Sequence, residues 1–238
     1  MARRLFFVDE IHSGAAEIHG DDAMHLTRVL RVEVGHRYEI SDNRQLYLAE
    51  VEEARKQHVV FRVLEKLETR PAPVRMHLFA ALIKFDHFEW TLEKATELGV
   101  ARITPVLSER VEKGLDKATG KRMERWLRIL KESAQQSRRW WLPEMDEPVK
   151  FSRLLLEDGL RLVLEESVAP ALLSVLPEAR SPEDEVKLLV GPEGGWADHE
   201  RVELTEAGWK AVSLGPTVLR AETAAAAGLA VVSAAWQR

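Results

Sequence analysis

Two short segments hold the residue types best suited to chemistry. The first is Gly191-Pro192-Glu193-Gly194-Gly195, which directly follows the apolar run Val186–Val190. Glycines at the end of a strand let the backbone approach a ligand closely and present its N–H groups. In an open α/β sheet ligands lie beyond the carboxyl ends of the strands. The same residues would also make a plain Pro-Gly turn between a strand and a helix. The second segment, Leu214-Gly215-Pro216-Thr217-Val218-Leu219-Arg220-Ala221-Glu222-Thr223-Ala224, runs straight into the apolar stretch Ala225–Ala235. Arg220 and Glu222 therefore sit near a helix N-terminus, where the dipole favours the Glu and opposes the Arg. An Arg in that place calls for an anionic neighbour, although a cap with a surface ion pair would use the same residues.

Other chemistries are excluded by what the chain lacks. The Gly191 segment has neither the Gly-x-Gly-x-x-Gly spacing nor a Lys-Ser/Thr partner, so a dinucleotide or triphosphate cradle is unsupported. There is no cysteine, which removes thiolate nucleophiles, disulfides and Cys-based metal sites. The eight histidines never fall at metal-ligand spacing and no His-Glu-x-x-His occurs, so all are read as packing or surface residues and no metal is implied. A Gly-x-Ser-x-Gly elbow is also missing. One stretch, Glu112–Arg139, is locally basic, with nine Lys/Arg against four acids in a chain of net charge −5. Such a patch attracts phosphate, and Arg138-Arg139-Trp140-Trp141 adds cationic and aromatic faces able to stack on unpaired bases. A solvated helix face is the plainer use of the same charges.

These segments need elements to position them. With 238 residues, 45% hydrophobic and 31% charged, the composition is globular and the length suits one large domain or two small ones. Residues 1–70 alternate in short apolar runs (Leu5–Val8, Arg37–Ile40, Leu46–Val51, His58–Val63), with one helical pattern through Ala23, Leu26, Val29 and Leu30. This predicts a small β-rich module. Pro71 and Pro73 break every regular pattern and place the domain boundary there. From residue 74 to 238, strands at Val74–Ile83, Ile103–Val106, Leu160–Glu165, Val186–Val190 and Trp209–Leu214 alternate with helices capped by Asp86 and spanning Lys121–Gln136, Asp198–Ala207 and Ala221–Trp236. In the Lys121 helix Met123, Trp126, Leu127, Leu130 and Ala134 are expected to face inward. Such alternation predicts a parallel sheet covered by helices. The longest apolar stretch, Ala224–Ala235, falls short of the ~20 residues a membrane span needs, and the N-terminus lacks a signal core; no membrane association and a cytoplasmic location are expected.

Taken together, the two glycine-bearing segments resemble the RsmE-like 16S ribosomal RNA uridine-N3 methyltransferases of the SPOUT class. Members carry Leu-Ile-Gly-Pro-Glu-Gly-Gly and, later, Leu-Gly-x-x-Ile-Leu-Arg-x-Glu-Thr-Ala; this chain has Leu189-Val190-Gly191-Pro192-Glu193-Gly194-Gly195 and the Leu214–Ala224 segment. The likeness extends through Arg4-Leu5-Phe6-Phe7, Gly20–Arg31, Lys84, Glu93–Gly99, Gln136-Ser137, Arg139 and Leu142-Pro143-Glu144. Arg138 stands where the family has Gly. The resemblance implies an α/β protein with an N-terminal PUA-like β-barrel that contacts RNA (residues 1–70) and a C-terminal SPOUT domain with a trefoil knot (residues 74–238).

It further implies that S-adenosylmethionine lies among three loops, with Leu164, Glu165, Leu189, Val190, Gly191, Gly194, Gly195, Leu214, Gly215, Leu219, Thr223 and Ala224 forming its site. Arg4, Arg28, Arg31, Lys84, Arg110, Arg138 and Arg139 would meet RNA, in a homodimer acting on the small ribosomal subunit with no metal. The small residues of Ala224–Trp236 suit a dimer contact. In the expected chemistry Arg220 stabilises negative charge on the uracil oxygens as the N3 proton leaves, and Glu193 or Glu222 accepts that proton or orients the Arg. Two other readings compete: a non-catalytic RNA-binding protein that assists ribosome assembly, and a nucleotide-binding hydrolase, which the lack of a Lys-Ser/Thr partner counts against.

Overall fold

The computed structural model describes residues 4–69, 74–112, 114–166, 168–178 and 183–236. The Pro71-Ala72-Pro73 break expected at the junction lies outside them, as does Lys113. Two compact units are present: residues 1–70 with 131–142, and residues 71–130 with 143–238.

The first unit contains β1 (Leu5–Phe7), β2 (Ala15–His19), α1 (Gly20–Arg28), β3 (Arg37–Ser41), β4 (Leu46–Arg55) and β5 (His58–Lys66). They form a curled five-stranded sheet of order β1-β3-β4-β5-β2. Only β1 and β3 run parallel. Register shifts between β4 and β5 at Leu48/Ala49 and Val51/Glu53 bend the ladder locally, as bulges do. Phe6, Ile18, Ile40, Val51, Val59 and Phe61 fill the core together with Ala23 and Leu26 of α1. β2 escapes the sequence reading because its pattern, Ala-Ala-Glu-Ile-His, carries one large apolar residue; pairing with β5 defines it.

The second unit is built on a parallel sheet. Its elements are β6 (Arg75–Ala81), α2 (Phe85–Glu97), β7 (Arg102–Leu107), α3 (Leu115–Ala118), α4 (Met123–Gln136), β8 (Glu144–Met145), β9 (Val149–Lys150), β10 (Leu160–Leu164), α5 (Leu172–Val175), β11 (Glu185–Val190), α6 (Asp198–Glu206), β12 (Lys210–Val212) and α7 (Ala221–Ala235). The strand order is β12-β10-β11-β6-β7-β8, with β9 also on β7. Register puts Leu162, Leu188, Leu78 and Ile103 in one row across the strands. That row faces Phe88 and Leu92 of α2 and Leu229 of α7. The alternate row, Val163, Leu189 and Phe79, faces Leu204 of α6 and Trp209. Both sides of the sheet are thus dry, which is why its strands read as continuous apolar runs.

Two local expectations need correction. Asp86 lies inside the first turn of α2, whose N-cap is Lys84; the carboxylate still meets the favourable end of the dipole there. Leu127, expected inward, is 50% exposed, because Trp126 and Leu130 already fill that side of α4. The residues of α4 from Lys131 onward belong to the first unit, where Lys131 Nζ meets Asp22 at 2.5 Å and Ala134 packs with Leu5 and Phe7.

Candidate active site

β12, β10 and β11 are neighbours, so the loops that follow them leave the sheet side by side at its carboxyl edge. These are the segments after Leu164, after Val190 and after Val212, and between them lies a cleft of about 490 Å³. Leu164, Val190, Leu214, Val218 and Leu219 give it apolar walls, while Glu165, Glu193, Arg201 and Arg220 supply charge. A mostly apolar cavity with a few placed polar groups is what a small-molecule site requires.

The Gly191–Gly195 loop is fixed from several sides. A Cβ on Gly191 would lie 2.9 Å from Nε1 of Trp196, and Trp196 is 1% exposed, so only glycine fits against the indole. Gly195 has φ +66, a left-handed conformation that glycine adopts without strain. Arg110 Nη1 donates to the Gly194 carbonyl at 2.7 Å. The buried Glu200 carboxylate accepts from the backbone N–H of Ala197 and of Glu109, both at 2.9 Å, tying the start of α6 to the loop after β7. Across the cleft, Arg201 Nε lies 3.3 Å from Glu165, a carboxylate whose side chain is 8% exposed.

The first turn of α2 brings a group that sequence reasoning did not place here. His87 lines the cleft, with Nδ1 3.2 Å from Glu193 and 3.7 Å from Glu222. One imidazole therefore joins the loop after β11 to the start of α7. The other nitrogen, Nε2, faces Asp86 at 3.8 Å. Glu222 Oε2 is buried without a hydrogen-bond partner, as is Trp196 Nε1. Arg220 is the N-cap of α7 in extended conformation. It is exposed at the cleft and has no ion pair or side-chain hydrogen bond among the described residues. It is a cation with no anion yet beside it, as its place in the sequence suggested.

Of the residues expected to hold a cofactor, Leu164, Glu165, Val190, Gly191, Gly195, Leu214, Gly215, Leu219 and Ala224 line the cleft. Leu189 does not: it points to the opposite row and is wholly buried against Trp196 and Trp209. Gly194 and Thr223 are also absent from the lining, and Glu222 stands behind His87. Glu166, Thr217 and Val218 complete the walls. Nothing in the order of residues marks His87 as part of the site, since it comes more than a hundred positions before the loops it contacts.

The expected RNA contacts fall on both units. Arg4, Arg28 and Arg31 are exposed on the first, and Lys84 and Arg110 on the second. Arg138 is exposed with φ +58, the conformation for which glycine is the usual choice, and meets Glu39 at 2.7 Å. Arg139 differs from the others. It is 9% exposed and its guanidinium lies 3.4 Å from the ring centre of Trp141. Burial lowers it to about 9, and the aromatic face steadies the cation. The Arg139–Trp141 pair lies after α4, with the guanidinium covering one face of the half-buried indole.

Comparison with known proteins agrees with this geometry. A family described as the RNA methyltransferase domain matches residues 70–233. The ribosomal RNA small subunit methyltransferase E of Mycobacterium bovis is 34% identical, covering 100% of this chain and 94% of that protein. The protein of the same name from Bacillus subtilis is 32% identical over 91% of this chain and 88% of its own length. A methyltransferase from Legionella pneumophila solved in complex with SAM superposes with a TM-score of 0.90 at 31% identity, covering 99% and 98% of the two chains. The ribosomal RNA small subunit methyltransferase E of Neisseria gonorrhoeae bound to S-adenosyl methionine gives 0.88 at 28% identity, covering the same shares. The chain belongs to the ribosomal RNA small subunit methyltransferase E family.

Proposed function

We propose that this protein transfers a methyl group from S-adenosylmethionine to N3 of a uridine in 16S ribosomal RNA. One observation carries the reading: three loops from adjacent parallel strands enclose a single cleft, and Arg220 stands at it without a partner. The cleft fits the cofactor. Gly191 lets the loop close against the Trp196 indole, whose Nε1 is a buried donor at the cleft lacking a hydrogen-bond partner, and Leu164, Leu214 and Leu219 offer apolar surface for adenine. Bound there, the cofactor supplies an electrophilic methyl carbon.

The chain's own residues account for the rest. Walls on three loops hold two reactants in line, which converts an encounter into a positioned step. As the proton leaves N3, negative charge grows on the uracil carbonyl oxygens, and the Arg220 guanidinium stabilises it. Glu193 is the exposed carboxylate beside the cleft and the better placed to receive that proton; Glu222, behind His87, orients the imidazole. The family's finer features belong to the same proposal: a PUA-like module in the first unit, a knotted chain in the second, a homodimer through half-buried small residues of α7 such as Ala226, Ala227 and Ala230, action on the small ribosomal subunit, and a cytoplasmic location. No helix among the described residues is long and apolar enough to cross a membrane.

The test is methyl transfer in vitro. Small subunits from cells lacking this protein, incubated with the purified chain and labelled cofactor, should gain one 3-methyluridine in 16S RNA, located by mass spectrometry. Cofactor binding without any RNA methylation would favour a binding protein and overturn the assignment.

A further inference from the structure

Away from the cleft, in the first unit, three potential metal ligands share one face of the β2–β5 ladder. Glu17 and His19 are two apart on β2 and so point the same way. His19 pairs directly with His58, the first residue of β5. The two imidazoles stack with ring centres 4.6 Å apart and planes 9° from parallel. Both Nε2 atoms lie 3.0 Å from the same oxygen, Oε2 of Glu17, and all three ligand atoms fall within 4.8 Å of one another.

We infer that Glu17, His19 and His58 form a binding site for a divalent transition-metal ion of the zinc type. Imidazole nitrogen and carboxylate oxygen bind zinc at about 2.0–2.2 Å, so ligand atoms around one ion stand roughly 3 Å apart, which is the length of the two nitrogen-to-oxygen edges already present. The donor set, two imidazoles and one carboxylate, selects zinc, nickel, cobalt or iron over magnesium and calcium. Nδ1 of His58 lies 3.4 Å from Glu53 Oε1, and that carboxylate is itself held by Arg55 at 2.6 Å.

The geometry leaves room for the ion on the solvent side: Nε2 of His58 turns to Oε2 of Glu17, and the ion would sit between that oxygen and the two imidazole nitrogens. His19 and Glu17 are open to solvent, with side chains 66% and 52% exposed, so water completes the shell. β2 is an edge strand of its sheet, and the ion clamps it to β5.

The experiment uses the full chain without a histidine tag, freed of metal by a chelator and titrated with zinc chloride by calorimetry. One ion per chain is expected, with a dissociation constant in the micromolar range and a rise in melting temperature on addition of zinc. His19→Ala and Glu17→Gln should each weaken binding at least roughly tenfold, and His36→Ala should leave it unchanged. Both test positions are exposed, so the variants should fold; His58→Ala, at a more buried site, is the confirming third. No saturable binding, or binding that survives His19→Ala with less than that loss, overturns the site.

Discussion

Arg220 and His87 reach the same cleft for opposite reasons. Arg220 has no anion beside it, and the growing charge of a deprotonating uracil would supply one. Replacing a donor aimed at such charge usually lowers kcat by about 10²–10³. Arg220→Ala should do so in the methylation assay while cofactor affinity, read by calorimetry, stays within a few fold; an unchanged kcat would remove Arg220 from the chemistry. His87 instead ties two carboxylates together, Glu193 at 3.2 Å and Glu222 at 3.7 Å. With the ring about a third exposed, each contact is partly screened, so losing the pair should loosen the cleft wall and lower cofactor affinity by no more than roughly fivefold. His87→Ala should show that loss and His87→Gln, which keeps a hydrogen-bonding side chain, should recover part of it; equal affinities in both variants would deny His87 any positioning role. Arg220 and Glu193 were legible because short glycine-bearing motifs announce themselves. His87 was not, because its partners come from loops that only the strand order of the parallel sheet brings near it.

At the level of elements, one polar junction shows how a parallel sheet tolerates charge. His77 of β6 is buried, its Nε2 2.7 Å from Thr104 Oγ1 of β7. Thr104 and Arg102 both donate to Asp146, which follows β8; the two Arg102 bonds are 2.8 Å. Burial, with the charge of Arg102, pushes His77 down to about 3, against the pull of Asp146. Burial alone would raise the Asp146 carboxyl, but the hydrogen bonds from Arg102 and Thr104 hold it below its ordinary value. The sign follows directly. An unfolded chain would protonate His77 near 6.5 while the folded one resists until about 3, so stability is full above 6.5 and declines as the pH falls through that window. By pH 4 the loss from this residue approaches about 3 kcal/mol. Denaturant midpoints measured from pH 7 to 4 should drop accordingly, and the drop should be smaller in His77→Asn; an identical pH profile would show that His77 is not the titrating group. The sequence revealed the apolar strands of this sheet but not this junction, since β8 and β9 are two residues each and carry no periodicity. α4 and α7 are legible as helices because both repeat apolar residues over three or more turns. The departure at Arg138 was likewise visible only as a missing glycine; the φ of +58 supplies the reason a glycine would be favoured there.

For the molecule as a whole, a net charge of −5 opposes RNA, so any attraction must come from particular exposed cations. The sequence count of nine in Glu112–Arg139 overstates them, because folding pairs four of them internally and buries a fifth. Arg122 and Arg125 meet Glu89 at 3.4 and 2.7 Å, Lys131 meets Asp22, Arg138 meets Glu39, and Arg139 is buried. Lys117, Lys121 and Arg128 are the exposed members of that stretch without an ion pair among the described residues, joined by Arg4, Arg28, Arg31 and Lys84 elsewhere. If roughly three to six of these cations meet phosphates, the logarithm of RNA affinity should fall against the logarithm of salt with a slope of about −2 to −5. Each contact removed should flatten that slope by about one while weakening all sequences alike. Lys121→Glu combined with Arg128→Glu should therefore lower the slope by about two and leave cofactor affinity untouched, because neither residue lines the cleft. A slope unchanged by the double variant would move the RNA surface off α4 and onto the arginines of the first unit.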